Sequence, residues 1–284
     1  MLSFSSFMTS SRGGKHHMPF FSTDSITFHY LDVGQGRPFV FQHGTGGDVH
    51  QTQDLFVPPL AFRLLTLDCR GHGETRPVGD PAFLSFSSFA DDLIALLDRL
   101  HLPQAVVGGI SMGAGVALNV ALRYPQRVQA LVLVRPAWLH EPLPAHLQVY
   151  PRIAKLIRDA GAAQASEEFK RTEEYLELQR TFPVTAASLL TQCTRPRAEE
   201  TVDILERLPR DAPNRNPEDW AHIHVPTLVL VNEDDPLHPF HYGEVLAHAI
   251  PGATLKQITS KATDAQQHAR DIQHAIEHFL LGLV

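Results

Sequence analysis

The residue whose surroundings most strongly indicate chemistry is Ser111, which stands between Gly109 and Gly113 in a G-x-S-x-G pattern. An apolar run precedes this pattern, and a helical stretch of small residues, 111–124, follows it and ends before Pro125. A strand, a tight turn and a helix in this order expose a serine hydroxyl above a sheet, because the glycines let the strand and the helix approach closely. The pattern therefore predicts that Ser111 is a nucleophile.

A second candidate is the glycine-rich segment 43–47, which reads His-Gly-Thr-Gly-Gly and follows the apolar run 38–42. A glycine turn at the carboxyl end of a strand can present backbone N–H groups to an anion. The sequence patterns of phosphate-binding and dinucleotide-binding loops do not occur here. We therefore predict an anion-stabilising turn, with an ordinary connection as the alternative.

The elements that must position these residues alternate between strands and helices. Apolar or β-branched runs predict seven strands, over residues 26–33, 38–42, 63–68, 105–109, 129–134, 226–231 and 253–259. Helical spacing of apolar residues predicts helices over 88–100, with Ser88 as the N-cap, and over 268–281. Several strands are apolar on both faces, as in a covered parallel sheet. The alternation predicts an α/β fold.

One long segment interrupts this alternation. Residues 137–217 show no strand pattern, and their amphipathic helical stretches are separated by prolines. An all-helical insertion of this size is either a lid over a pocket or a separate packing module. We predict a flexible N-terminal lead (1–18), a core (19–136 and 218–284) and a helical cap (137–217).

Composition excludes several functional classes. The 284 residues are 43% hydrophobic and 19% charged, with a formal net charge of −7, which is ordinary for a globular domain and lacks the basic footprint of a nucleic-acid or membrane-surface binder. No apolar run is long enough to span a membrane. The two distant cysteines, Cys69 and Cys193, predict reduced thiols and a cytoplasmic protein. The histidine pairs lack metal-site spacing, so we expect no metal, no cofactor and a small-molecule substrate.

Three motifs in this chain order resemble the α/β-hydrolase superfamily. They are the His-Gly pair at 43–44 after an early strand, the Asp-Cys-Arg-Gly-His-Gly segment at 68–73 after the next strand, and the turn at Ser111. The resemblance covers residues 25–284. It implies the α/β-hydrolase fold, in which helices flank a mostly parallel central sheet and an all-helical cap is inserted after the sixth strand.

The resemblance also indicates where the acid of a catalytic triad should lie. In this family the acid follows the strand after the cap, and the histidine follows the acid in the chain. Here the segment 232–239 resembles the family's G-x-x-D-x-x-x-P, with Asn232 at the glycine position. That register selects Asp235 as the acid. Asp234 is the next candidate, and Glu233 follows it.

The expected histidine is the point where the sequence departs from the family. The family has a Gly-His pair in the loop after the last strand, but this chain has Ala262 at that position. The nearest histidine is His268, four residues before Ile272 and thus on the inward face of the final helix. We predict His268 as the base, carried over Ser111 by a longer loop. The alternative is His238, which lies in the acid's own turn.

The remaining site residues follow from the resemblance and from the predicted cap. The resemblance implies an oxyanion hole formed by the backbone N–H groups of Thr45 and Met112. Trp138, Tyr150 and Phe169 are candidates to line a substrate pocket, and packing within the cap is the alternative for each. Trp138 is the one that we select as a substrate-binding residue.

Together these residues predict a serine hydrolase of the carboxylesterase type. Ser111, His268 and Asp235 would attack an ester-like carbonyl of a small, partly apolar substrate and form an acyl-enzyme. A serine at the turn argues against the aspartate-dependent haloalkane dehalogenases and epoxide hydrolases of the same superfamily. The alternatives are a lactonase, a carbon–carbon bond hydrolase, or a ligand-binding protein on a hydrolase scaffold with weak or no turnover.

Overall fold

In the computed structural model, which describes residues 19–23 and 25–284, the described strands form one eight-stranded sheet. The strands are β1 (Phe20–Thr23), β2 (Ile26–Gly34), β3 (Arg37–Gln42), β4 (Phe62–Leu67), β5 (Ala105–Ile110), β6 (Val128–Val134), β7 (Thr227–Val231) and β8 (Thr254–Gln257). They are ordered β1-β2-β4-β3-β5-β6-β7-β8. β2 pairs antiparallel with β1 and β4, and every other neighbouring pair is parallel. The predicted α/β fold with a mostly parallel sheet is confirmed.

The seven predicted strands all occur, and their ends differ from the predicted ends by at most two residues. β1 was not predicted, because a four-residue edge strand has too little pattern to recognise. It is held by aromatic contacts: the ring of Phe21 lies 5.2 Å from that of Phe28 and 5.8 Å from that of Tyr30. The predicted N-terminal lead, residues 1–18, lies outside the described residues.

Helices cover both faces of the sheet. They are α1 (Val49–Leu55), α2 (Phe86–Arg99), α3 (Met112–Arg123), α4 (Val149–Ala160), α5 (Ala162–Phe169), α6 (Glu173–Thr181), α7 (Pro183–Thr194), α8 (Asp203–Arg207), α9 (Phe240–Ala249) and α10 (Ala265–Leu281). α2, α3 and α9 pack on one face, and α1 and α10 pack on the other. Side chains alternate along a strand, so Val107 of β5 faces the first group and Val106 faces the second.

Two helices begin earlier than predicted. The N-cap of α2 is Ser85 rather than Ser88, and its side chain accepts a hydrogen bond from the Ser88 N–H at 3.2 Å. Phe86 is buried, so the first turn of α2 packs inward as well. α10 begins at Ala265, where the side chain of Asp264 accepts from two backbone N–H groups. In both helices the polar N-cap, not the first apolar residue, sets the start.

Between β6 and β7 the described chain contains helices and turns but no strand. We call residues 135–226 the helical insertion; it contains α4–α8, and the predicted cap limits of 137 and 217 fall inside it. Its apolar residues Ile204 and Leu205 share a buried cluster with α2 and α3, so the insertion packs on the core. No helix among the described residues is long and apolar enough to cross a membrane.

Candidate active site

Ser111 stands at the turn between β5 and α3 in a strained backbone conformation. Its φ of 57° and ψ of −114° are rare for a residue with a side chain. Its backbone N–H donates to the carbonyl of Val134 at 2.9 Å, which ties the turn to β6. A Cβ atom on Gly109 would lie 2.3 Å from the carbonyl carbon of Gly113, and one on Gly113 would lie 2.2 Å from the carbonyl oxygen of Gln42. Both glycines are therefore required by close backbone packing.

His238 is the histidine that contacts Ser111. Its Nε2 lies 2.9 Å from Ser111 Oγ, and its Nδ1 lies 2.9 Å from Asp235 Oδ2. When Nδ1 carries the proton and donates to the carboxylate, Nε2 is free to accept the proton of the serine hydroxyl. The structure thus brings the predicted Ser111 and Asp235 together through His238, the histidine that we predicted as the alternative.

Asp235 and His238 come from one tight turn after β7. The N–H of His238 donates to the carbonyl of Asp235 at 3.1 Å, and Pro236 lies at the second position of this four-residue turn, where a fixed φ is favourable. Asp235 Oδ1 also accepts from the N–H of Leu237 at 3.3 Å. Residues three apart in such a turn project to the same side. The short spacing therefore enables the contact between Asp235 and His238.

The structure does not bring His268 to Ser111, contrary to our prediction. Its ring is 3% exposed and its Nδ1 lies 2.8 Å from the carbonyl oxygen of Thr259. α10 begins three residues before His268, so the ring is fixed in the first turn of a packed helix. A mobile loop that could carry it over the serine does not form. Ala262, at the family's usual histidine position, borders the cavity in front of Ser111.

The other two acidic candidates lie at the surface of the same turn. Asp234 and Glu233 are both exposed, and Asp234 has a positive φ of 56° at the tip of the turn. The side chain of Asp235 is only 8% exposed. Asp235 is thus the carboxylate that is buried against an imidazole.

Arg135 completes a buried charged group around the histidine. Its guanidinium forms an ion pair with Asp235 Oδ2, and its Nη2 lies 3.0 Å from His238 Nδ1. Burial opposes the ionisation of Asp235, but its interactions with His238 and Arg135 outweigh burial and hold the pKa of this carboxyl well below its ordinary value. Burial lowers the pKa of His238, and the charge of Arg135 lowers it further, whereas Asp235 opposes both effects. A neutral imidazole beside an ionised carboxylate is the resulting state at neutral pH.

The predicted oxyanion residues flank Ser111. Met112 is the first residue of α3, so its backbone N–H has no partner within the helix. Thr45 borders the cavity from the glycine turn after β3, and its carbonyl accepts from Nε2 of Gln192 in the helical insertion at 3.4 Å. The N–H of Gly44 donates to Gln51 Oε1 at 2.7 Å, which fixes the turn on α1. Core and insertion both hold this turn in place.

A cavity of about 110 Å³ opens in front of Ser111. Most of its lining residues are polar. They come from the glycine turn and α1, from the end of β5 with Ser111, from the turns after β6, β7 and β8, and from α4 and α7 of the helical insertion. The helical insertion contributes five of these lining residues: Arg135, Tyr150, Val184, Thr185 and Ser188. The predicted cap segment thus borders the cavity.

Trp138, which we selected as a substrate-binding residue, is not among the residues that line this cavity. It is 2% exposed, and its ring packs edge-on against Phe86 at 5.3 Å. Phe169 is also buried and packs on Tyr175. Of the three aromatic candidates, Tyr150 alone reaches the cavity. Its position in the first turn of α4, facing inward, could have been inferred from helical periodicity.

Residues that could bind a metal ion do not cluster in the described part of the chain: no three His, Cys, Asp or Glu side chains converge there. Cys69 and Cys193 are buried free thiols. Burial raises the pKa of both thiols, which disfavours the reactive thiolate. The described site is therefore built around one serine, one imidazole, one carboxylate and one guanidinium.

Comparisons with family models, with curated proteins and with solved structures all indicate the same family. A family model described as alpha/beta hydrolase fold matches residues 37–262. The chain is 24% identical to 3-oxoadipate enol-lactonase 2 of Acinetobacter baylyi over 92% of this chain and 96% of that protein. Among solved structures, the enol-lactonase from Burkholderia xenovorans superposes with a TM-score of 0.73 at 22% identity, over 93% of this chain and 100% of that one. A thermophilic esterase from Thermogutta terrifontis with malate bound superposes with a TM-score of 0.71 at 25% identity, over 95% and 99%.

Proposed function

This chain belongs to the α/β-hydrolase family and is a hydrolase of that fold, and we propose that it cleaves small esters through a triad of Ser111, His238 and Asp235. The observation that carries the proposal is the 2.9 Å contact between Ser111 Oγ and His238 Nε2, on an imidazole whose other nitrogen meets Asp235. A serine hydroxyl is a weak nucleophile until an adjacent base removes its proton. His238 is the base, in place of the His268 that the sequence favoured.

The reaction proceeds through an acyl-enzyme. Ser111 Oγ attacks the ester carbonyl carbon while His238 Nε2 takes the hydroxyl proton, and the imidazolium then protonates the leaving alkoxide. Water, deprotonated by the same nitrogen, attacks the acyl-enzyme and releases the carboxylic acid and the free serine. Asp235 stabilises the imidazolium in both steps and holds its tautomer.

The developing negative charge on the carbonyl oxygen is stabilised by the backbone N–H groups of Thr45 and Met112. Both residues flank Ser111, and the N-terminus of α3 adds a favourable dipole. The contact between Gln192 and the Thr45 carbonyl supports this role, because it holds the glycine turn from the side of the helical insertion. In this proposal the insertion is a cap, over residues 137–217, that closes the cavity over the ester.

The substrate is small. A cavity of about 110 Å³ is smaller than one that holds benzene, about 150 Å³, so it accepts a short acyl group. Its mainly polar lining favours a more polar acyl group than the partly apolar one that the sequence predicted. A cyclic ester, as the names of the enol-lactonase relatives suggest, would react by the same steps.

Hydrolysis of a p-nitrophenyl ester series from acetate to octanoate tests the proposal. The wild type should favour the shortest esters, and Ser111→Ala and His238→Ala should each lose at least about a thousandfold in kcat. His268→Ala is the matched control, since it removes a buried imidazole that does not reach the serine. Its kcat should stay within a few-fold of wild type.

Two outcomes would overturn the proposal. If His268→Ala lost as much activity as Ser111→Ala while His238→Ala remained active, the base would be His268. If the wild type hydrolysed no ester and a serine-directed phosphonate failed to label it, the chain would bind a ligand without turnover. A labelled Ser111 in an otherwise slow enzyme would retain the triad and point to a different substrate.

A further inference from the structure

The loop after β8 contributes a lysine to the cavity where the family's pattern has its histidine. Ser260, Lys261 and Ala262 all border the cavity in front of Ser111. Because His238 approaches the serine from the turn after β7, this loop has no proton to transfer. Its side chains are therefore available to contact the substrate.

Lys261 is a cation without a partner. Lys261 borders the cavity and is exposed on its solvent side, and its ammonium group forms no hydrogen bond or ion pair with any residue that the structure describes. Partial burial lowers the pKa of Lys261 and the neighbouring charge of Arg135 lowers it further, whereas the charge of Asp235 opposes both effects. Because Arg135 is paired with Asp235, Lys261 leaves one positive charge at the cavity, which an anionic ligand would relieve.

The carboxylates around the cavity do not neutralise this lysine. Asp235 is already engaged with Arg135 and His238. Asp234 also borders the cavity and is exposed, as Lys261 is, but it does not lie within ion-pair distance of Lys261. The uncompensated charge therefore remains at the side of the cavity formed by the loop after β8.

We propose that Lys261 is an anion subsite that selects esters whose short acyl chain carries a second, free carboxylate. The inference rests on the proposed esterase function and specifies its substrate class. The carboxylate lies on the acyl side, because the acyl group stays in the cavity through both chemical steps while the alcohol departs after the first. A four-carbon dicarboxylic monoester suits a cavity of about 110 Å³.

A pair of isosteric substrates tests the subsite. Monoethyl succinate ends in a carboxylate, and ethyl levulinate has a neutral methyl ketone of the same size at that position. The wild type should show a kcat/KM for monoethyl succinate that exceeds that for ethyl levulinate by about ten- to hundredfold, the usual value of a hydrogen bond to a charged group. In Lys261→Met the ratio should fall to about one, and Lys261→Arg should restore most of it.

Lys256→Met is the matched control. Lys256 lies on β8, five residues before Lys261, and is exposed outside the cavity. It removes the same charge from the same part of the chain, so its substrate ratio should remain that of wild type. A lysine that acted only by tuning the pKa of His238 would change both substrates alike and leave the ratio unchanged.

Binding to the Ser111→Ala variant separates this inference from the proposed function. Calorimetry with monoethyl succinate should detect binding that Lys261→Met in the same background weakens about tenfold or more, whether or not the wild type turns over. A wild type that hydrolyses both esters equally well would overturn the subsite and leave the esterase intact. Binding that depends on Lys261 without any hydrolysis would overturn the esterase and keep the subsite.

Discussion

Arg135 is the residue that distinguishes this arrangement of serine, histidine and carboxylate. It lies directly after β6 with a positive φ of 48°, a strained conformation for a residue with a long side chain. In this conformation its guanidinium forms an ion pair with Asp235 and lies next to the Nδ1 of His238. A cation at this place keeps the carboxylate ionised and disfavours protonation of the imidazole. We infer that Arg135 is a positioning residue that acts through these two side chains.

Replacement of Arg135 should move the pH profile of hydrolysis. Catalysis requires neutral His238, and the charge of Arg135 lowers the pKa of that imidazole. In Arg135→Gln the pKa should rise, so the acidic limb of kcat/KM for p-nitrophenyl acetate should shift to higher pH by about one unit. One unit corresponds to about 1.4 kcal/mol between the two protonation states.

Arg152→Gln is the control for this shift. Arg152 lies on α4, and its side chain is 57% exposed, so solvent screens its charge from the site. The acidic limb of kcat/KM for the Arg152→Gln enzyme should coincide with that of wild type. An Arg135→Gln enzyme with slower turnover but an unmoved acidic limb would show that Arg135 only packs against the turn.

Sequence patterns identified the serine and the carboxylate of this group but selected a different histidine. Ser111 has a local signature, because its strained turn needs glycine on both sides. His238 has none: its contact with Asp235 depends on a turn closed around Pro236, and its contact with Ser111 depends on the pairing of β6 with β7. A strained arginine such as Arg135 is equally invisible without backbone angles.

At the scale of elements, the site depends on how closely α3 approaches the glycine turn after β3. The first turn of α3 packs on the backbone of Gln42 and His43 through Gly113, which leaves no room for a Cβ atom. Ser111 and Thr45 are thus held on two elements that are in direct backbone contact. Their relative position is set by packing rather than by a flexible loop.

We expect Gly113→Ala to lower both stability and activity. The added methyl would lie 2.2 Å from the carbonyl oxygen of Gln42, so α3 and the glycine turn must separate. Overpacking of this kind costs about 1–3 kcal/mol of unfolding free energy, and the proposed oxyanion donors would move apart. Urea denaturation and kcat for p-nitrophenyl acetate measure the two effects.

Gly282→Ala is the matched substitution for that experiment. Gly282 follows α10, and a Cβ atom there would lie 3.4 Å from its nearest neighbour, an ordinary contact. It should change stability by less than about 1 kcal/mol and leave kcat unaltered. A Gly113→Ala protein as stable and active as Gly282→Ala would show that α3 can shift without disturbing the site.

The elements themselves were predictable where the pattern was long. The buried parallel strands are continuous apolar runs, and α2 and α10 have strong hydrophobic periodicity, so their positions agree with the predictions within a few residues. The helical insertion was predicted only as a series of amphipathic helical stretches, and the turn at Lys170 and Arg171 that separates α5 from α6 was not predicted. Neither residue is a Gly or Pro, and the second helix starts at a threonine N-cap that periodicity alone does not detect.

At the scale of the whole molecule, burial of neutral histidines links stability to pH. Among the residues that the structure describes, five histidines have a pKa below the ordinary value, with burial as the main cause in each: His43, His72, His146, His238 and His268. They lie in the glycine turn, the turn after β4, the helical insertion, the turn after β7 and α10. Their neutral form is therefore a condition of the folded state as a whole, not of catalysis alone.

The unfolding free energy should fall as the pH decreases below about 6.5, the ordinary pKa of histidine. In that range the unfolded chain binds protons that the folded chain excludes, so stability is fully present above pH 6.5 and is lost toward the lowered folded pKa values. Each such histidine contributes up to about 1.4 kcal/mol per pH unit. Urea denaturation between pH 5 and 8 measures the slope.

The His72→Gln variant measures the contribution of one histidine to the dependence of unfolding free energy on pH. His72 is 2% exposed, and its Nδ1 lies 3.0 Å from the carbonyl oxygen of Arg70. At pH 8 the imidazole is neutral in both states, so the stability difference there measures packing alone. Between pH 6.5 and 5 the variant should lose stability less steeply than wild type, by up to about 1.4 kcal/mol per pH unit. Equal slopes for the two proteins, or a wild type whose stability is unchanged down to pH 5, would contradict the linkage, because excluding protons from a buried imidazole requires that stability depend on pH.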